Sequence, residues 1–452
     1  MTARPDRRLH LNAFLMEAGH HEAAWRLPES NANADFDLQH WIDLARLAES
    51  ARFDSLFLAD GPVLQGSGEF RSPGQLEPLT LLTALAAATE NIGLIATVST
   101  TYNDPYNLAR RLASVDHVSG GRVGWNIVTS ATREEAANFG LDDRPLHADR
   151  YERAAEFLDV VLKLWDSWGD DALLADKESG RWGDPSQIRS IDHSGTYFKV
   201  AGGLNVSRSP QGYPLLVQAG SSESGRAFAA RYAEAIFTAN QTLESAQEFY
   251  GDIKKRAAAA GRDPDKLIVL PGIVPIIGST EAEAQALARE LDELRVPEYG
   301  ILALAKVLEV EPHELPLDEE LPQHVVGRTT KREGFISRSQ LIIDMATSEH
   351  LTVRQVLSRL GGGRGHNVVV GTPEQITETL VTWFTQGGAD GFNVMGAALP
   401  SGLEAFIEQV LPGLRDRGLF PDDYEGRTLR DHYGLDRPQN QFDVPAKRQR
   451  SA

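Results

Sequence analysis

A chain of 452 residues, 41% apolar and 24% charged, has the composition of a globular protein with a large core, whether as two or three domains or as one barrel with insertions. Its 45 basic and 64 acidic side chains leave a net charge of −19, which repels nucleic acid and anionic lipid and argues against both as partners. The absence of cysteine excludes disulfides, thiolate metal sites and cysteine nucleophiles together, in keeping with a cytoplasmic enzyme.

The first segment, MTARPDRRLHLNAFLMEAGHHEAAW, sets paired arginines before an apolar run as an export signal does. His10 and Asn12 break that run and Glu17 ends it, so no signal core is expected. Nor does any stretch reach the ~18 apolar residues of a membrane span. Short β-rich runs then recur: LHLNAFLM (9–16), DSLFLAD (54–60), IGLIATVST (92–100), RVGWNIVTS (122–130), YPLLVQAG (213–220), EAIFTAN (234–240), LIVLPGIVPIIG (267–278) and DGFNVMG (390–396). Several are almost continuously apolar, as parallel strands buried on both faces are. Segments such as DLQHWIDLARLAESARF and DRYERAAEFLDVVLKLWDSW space apolar residues three and four apart, the helical period. Eight strands with crossover helices predict a closed α/β architecture, the (β/α)8 TIM barrel, with an open doubly wound sheet as the rival. Residues 1–436 form one domain on this reading, followed by a polar, frayed tail at 437–452. Two regions depart from the repeat. Residues 169–212 look like a hairpin excursion, and 297–366 carry helix-like pieces and the loop GGGRGHN. Both are expected as insertions on the C-terminal loop face.

In such a barrel the reacting groups lie where strands end. Strand two ends in Asp60; strand three carries Thr97, Ser99, Thr100 and Thr101; strand four carries Asn126, Thr129 and Ser130; strands five and six end in Gln218 and Asn240. These polar residues converge on one mouth, although strand ends are also polar simply because they meet solvent. QAGSSESGRAF, residues 218–228, puts Gly220, Ser221 and Ser222 at the start of a helix, where free amides, hydroxyls and the helix dipole suit an anion. The spacing is neither a nucleotide phosphate loop nor a dinucleotide fingerprint, and an ordinary serine N-cap accounts for it as well. His147 and Tyr151 stand four apart near the start of the long helix, on one face. No HExxH pair is present, and no metal site is expected.

The blocks IGLIATVSTTYNDPYNLARRLASVDHVSGGRVGWNIVTS, EEAANFG, HADRYERAAEFLDVVLKLWDSW, SRSPQGYPLLVQAGSSESGRAFAARYAEAIF and VVVGTPEQITETLVTWFTQGGADGFNVMG together resemble the bacterial-luciferase-like flavin monooxygenases. The resemblance is closest to the branch of nitrilotriacetate, pristinamycin-synthesis, dibenzothiophene-sulfone and long-chain-alkane monooxygenases, and spans roughly residues 8–436. It implies a barrel whose mouth holds FMN, reduced by a separate NAD(P)H:FMN reductase that docks transiently. Reaction with O2 through a flavin hydroperoxide would then oxygenate a small sulfur-, nitrogen- or carbon-centred substrate. By position, Asp60, Thr97, Asn126, His147 and Tyr151 match flavin-contacting residues, and Ser221 and Ser222 match phosphate-binding serines. His20 matches a histidine at the reacting face, assigned to proton transfer or to hydrogen bonding, with His21 as the spare; His324 and His366 fall in the variable insertion. GGGRGHN departs from the family's glycine-histidine turn by inserting Arg364 and Gly365. Residues 297–366 are the expected lid, and Arg26, Arg328 and Arg332 are possible receivers of a substrate carboxylate as well as ordinary surface arginines. A homo-oligomer is expected from the barrel relatives. Two other readings share the barrel: a deazaflavin-dependent hydride-transfer oxidoreductase, which needs no O2, and a non-catalytic flavin-binding protein.

Overall fold

The computed structural model describes residues 7–443, except 65, 131, 144–145, 221, 328–335, 361 and 364; the side chains of 147, 148 and 336–338 also lie outside the description. Eight strands follow the apolar runs of the sequence: β1 (His10–Phe14), β2 (Ser55–Leu58), β3 (Gly93–Ser99), β4 (Val123–Val128), β5 (Leu215–Gln218), β6 (Ala235–Thr238), β7 (Ile268–Ile277) and β8 (Gly391–Val394). Each pairs in parallel with its sequence neighbour, and β8 pairs with β1, so the sheet closes on itself. Closure leaves the eight strands without a free edge, which decides against the open sheet.

Local chemistry sets the crossovers. Helix α1 (Leu38–Ser50) starts where the Asp37 side chain accepts from the amides of Gln39 and His40. After α2 (Pro78–Ala88), helix α3 (Pro105–Ser119) is capped by Asp104, with proline in its first turn, and stops at Gly120, whose φ of +74° is left-handed. Helices α4 (His147–Trp165), α5 (Glu223–Tyr232), α6 (Leu243–Ala259) and α7 (Pro373–Thr385) complete the ring. Beyond β8, Ser401–Ala405, Phe406–Val410 and Leu411–Arg415 run on as one helix with a π turn in the middle. Pro412 explains the widening: it has no N–H to give to the turn before it.

Strand alternation divides the core in two. Leu11, Ala13, Leu56, Leu94, Ala96, Trp125 and Leu216 face the helices; Phe14, Phe57, Ile95, Leu215, Val217 and Phe237 fill the barrel. From below, the segment around Leu429–His432 stoppers the lumen. A methyl group on Gly93 would lie 2.3 Å from Leu429, so only glycine admits that side chain. Tyr433, 2% exposed, donates to Asn12 Oδ1 at 2.6 Å, and Asn12 in turn bonds Asn393 at 3.1 Å. Arg430 locks the stopper through two bonds to Glu234, of 2.6 and 2.8 Å.

Only the second of the two excursions lies on the C-terminal loop face; the first, expected there too, sits in a helix-to-strand connection and so starts at the opposite end of the barrel. Residues 169–212 leave from the foot of α4 and return to β5, running up the outside of that helix: Glu156 accepts from the amides of Tyr197 and Phe198. The second lies in the connection after β7, at the mouth. It holds Pro297–Leu308, Ile336–Ser348 and Val353–Leu360, and has its own apolar cluster around Leu304, Leu308, Val325 and Val356. It closes with an extra strand, Asn367–Gly371, on the upper half of β7. The tail is held further than expected: Arg437 bonds Asp170 at 2.6 and 2.7 Å, and Asn440 donates to the carbonyls of Asp166 and Trp168. No described helix is long and apolar enough to cross a membrane.

Candidate active site

Three phenylalanines make the floor of the mouth. Phe14, Phe57 and Phe237, from β1, β2 and β6, meet edge to face with ring centroids 4.8 to 5.4 Å apart. Alternation puts polar side chains on the same lumen face one step higher. Thr97 and Asn126 are paired across β3 and β4, and Asn126 Nδ2 donates to Thr97 Oγ1 at 2.9 Å. The Asn126 Oδ1 atom is buried without a partner. Further up, Ser130 donates to Ser99 at 2.8 Å.

His20 lies in the loop after β1, 1% exposed, with its ring 4.6 Å from Phe14. Its Nε2 lies 3.0 Å from the Phe14 carbonyl, which can only accept, so Nε2 carries the proton and Nδ1 remains an acceptor with no partner. Burial lowers its pKa to about 3 against the pull of that hydrogen bond, and His366 and Arg71 add to the lowering. The ring is therefore neutral near neutral pH. His366, buried at the end of the glycine-rich loop, stacks on Phe237 at 4.9 Å and 11°. A methyl group on Gly272 would lie 2.6 Å from its Nδ1. His21 is buried too, with Nδ1 accepting from the Ala23 amide and Nε2 3.8 Å from Asp292. His324 stays on the surface with Glu314, 2.8 Å away.

Asp60 is half-buried at the end of β2 and accepts from Gln75 at 3.0 Å; burial still pushes its carboxyl up to about 6. At β5 the chain turns through Gly220 into α5. Ser222 caps the helix by accepting from the Gly225 amide at 3.2 Å and its carbonyl accepts from Arg226, which leaves the amides of Glu223 and Ser224 without intrahelical partners. Tyr151 leans over this turn from α4; burial raises its pKa, opposed by hydrogen bonds with Ser222 and Thr129. A methyl group at Gly220 would come 2.9 Å from the Tyr151 hydroxyl and 2.3 Å from Gln218 Nε2, and one at Gly225 would come 3.0 Å from the same hydroxyl. Two glycines thus keep a cradle open. Gln218, 3% exposed, holds an unpartnered Oε1 beneath it.

The structure brings His20, Asp60, Thr97, Asn126, Tyr151 and Ser222 to strand ends and loop starts at one end of the barrel. Ser221 lies outside the described residues, as do the His147 side chain, Arg328, Arg332 and Arg364, although His147 opens α4. Arg26 is exposed and bonds the Leu294 carbonyl. The sequence reading did not use His366 or Arg71, and noted Gln218 only as a polar strand end. A buried acceptor such as Asn126 Oδ1, Gln218 Oε1 or His20 Nδ1 calls for a donor. Flavin ring N–H and ribityl hydroxyl groups are such donors, and an open helix start is a place for its phosphate. These residues fit a flavin nucleotide. A separate groove of about 460 Å³ runs along the outer wall between α2 and α3, lined by Thr83, Arg110, Arg111 and Val206 among others. It is remote from these groups.

The chain is similar to known proteins along nearly its whole length. A family model described as luciferase-like monooxygenase matches residues 14–391. The chain is 44% identical over 437 residues to N-acetyl-S-(2-succino)cysteine monooxygenase of Bacillus subtilis, covering 96% of this chain and 98% of that one. It is 43% identical to nitrilotriacetate monooxygenase component A of Aminobacter aminovorans, covering 98% and 99%. Among solved structures, a riboflavin lyase with modified FMN and riboflavin superposes with a TM-score of 0.85 at 33% identity, over 95% and 96% of the two chains.

Proposed function

Because the chain belongs to the luciferase-like monooxygenase family, we propose that it is the oxygenase component of a two-component flavin monooxygenase. In this reading it takes FMN reduced by a separate NAD(P)H-dependent reductase and passes one atom of O2 to a small organic substrate at sulfur, nitrogen or carbon; the other atom leaves as water. One relative is named as a component A, in keeping with a reductase partner. The two curated relatives are named for a succino-cysteine and a triacetate, which keeps organic acids within the substrate range. The observation that carries the proposal is the set of buried, unpartnered acceptors and the glycine-opened helix start gathered above an aromatic floor.

Each residue then has a task. Ser222 and the free amides of α5 would hold the phosphate, with Ser221 as its second serine by resemblance to the family, and Tyr151 and His147 would serve as the pair that reaches the flavin from α4. Asn126, Thr97 and Asp60 orient the ring system. When bound, reduced FMN supplies the two electrons that activate O2. His20 does not suit general-base work near neutral pH, since a pKa of about 3 leaves it weakly basic. It suits hydrogen bonding, with Nδ1 accepting from the reacting face and Nε2 fixed on Phe14. The phenylalanine floor and the second excursion keep water out of the mouth, which a reactive oxygen species requires.

The test is a flavin titration followed by oxygen uptake with a generic flavin reductase and a panel of sulfur and nitrogen compounds. Saturable FMN binding and substrate-dependent uptake above the reductase background are expected. Hydride transfer to a deazaflavin without oxygen use would instead support the oxidoreductase on the same barrel, and flavin binding without turnover would support a non-catalytic binder.

A further inference from the structure

Arg71 is a cation inside the mouth that the flavin reading does not use. It comes from the loop after β2, and its side chain is 14% exposed. Its guanidinium contacts Glu17, from the loop after β1, and hydrogen-bonds Tyr299, from the Pro297–Leu308 helix of the excursion. Three separate parts of the mouth thus meet on one side chain. Asp35, 7% exposed, lies beside it. His20 and its neighbour His366 stand on the same side of the barrel, whereas Tyr151 and Ser222 stand on the β4–β5 side. A guanidinium carries five donors in a planar fork. Glu17 and Tyr299 engage part of that fork, and a planar carboxylate is the ligand that matches the rest. Burial disfavours the charge of Arg71, but Glu17 and Tyr299 more than offset this, so the cation persists at the wall.

We propose that Arg71 receives a carboxylate of the substrate, so that the substrate is a small organic acid held with its oxidisable atom toward His20. This rests on the monooxygenase reading given above. It also makes Glu17 a competitor: with Glu17 neutral, more of the guanidinium's charge is available to the ligand. Tyr299 ties the same contact to the excursion, so an acid bound at Arg71 is in place to settle that segment over the mouth.

The experiment measures binding by calorimetry to the FMN-loaded full chain. The probes are nitrilotriacetate, a succinyl thioether and the dimethyl ester of that thioether as the uncharged control. The wild type is expected to bind the acids and not to prefer the ester. Arg71→Gln should weaken acid binding about ten-fold or more, and Glu17→Gln should strengthen it roughly three-fold, with FMN affinity unchanged in both. Equal acid binding by Arg71→Gln, or acid binding by Glu17→Gln no tighter than wild type, overturns the assignment. So does a wild type that binds FMN but neither acid. If Arg71→Gln does not fold, as circular dichroism reads, Glu17→Gln alone decides, because it keeps the guanidinium. A wild type that binds no FMN defeats the monooxygenase reading instead, and the two failures are thereby distinct.

Discussion

His20 offers a quantitative check on the mouth. In the folded chain its pKa lies near 3, against 6.5 for the free side chain. A folded pKa below the unfolded one means that the unfolded chain binds the proton first as pH falls. The stability associated with neutral His20 is therefore complete above pH 6.5 and declines continuously as pH falls toward 3. Between about pH 7 and about pH 5 the proton taken up by the unfolded state alone, integrated over pH, amounts to roughly 1.4 pH units at 1.36 kcal/mol each, about 2 kcal/mol. His20 is 1% exposed, so little of this is screened by solvent. His20→Gln removes the titration and retains a polar side chain. Urea unfolding of both proteins, followed by tryptophan fluorescence at the two pH values, gives the difference directly. The wild type should lose about 2 kcal/mol more than the variant. Equal losses would mean that His20 titrates normally in the fold, and the account of a neutral imidazole sealed against Phe14 would fail.

Ser222→Ala should weaken FMN binding by about 1–3 kcal/mol in a fluorescence titration, the worth of a hydrogen bond to a charged group, and unchanged affinity would remove that serine from the phosphate site. Arg430→Gln leaves Glu234 without its buried partner and should cost about 3–5 kcal/mol in chemical denaturation. For Asp60 the sign is opposite to that of His20. Its carboxyl is raised to about 6, so its buried charge is a penalty present above pH 6 and relieved as it protonates on the way down to about 4. Asp60→Asn should accordingly melt higher than wild type in the flavin-free protein at neutral pH and lose that advantage in acid.

The barrel was legible because parallel strands buried on both faces leave long apolar runs, and all eight runs became β1 to β8. Asp60, Thr97 and Asn126 could be placed at the mouth from the sequence because Asp60 follows such a run and the other two interrupt the upper halves of theirs. What the sequence hid depends on partners far apart in the chain. Nothing near Leu429 marks it as the stopper that makes Gly93 obligatory; only closure of the barrel brings the two together. Arg71 looked like one arginine in a polar loop, and its place at the mouth appears only when Glu17 and Tyr299 converge on it. His366 sat in a segment read as variable, and its burial follows from stacking on Phe237 of β6, for which the glycine-rich loop carries no local sign. The outward course of residues 169–212 follows from connectivity: a segment between the end of a helix and the next strand starts at the barrel's foot.

The stopper formed by Leu429 and Tyr433 has one more consequence. Among the described residues the base is corked, so on the proposed reading coenzyme, reactant and product pass one another at the mouth. Whatever seats deepest must arrive first and depart last. On that reading the order of arrivals depends on the far end of the chain, which closes the base of the barrel.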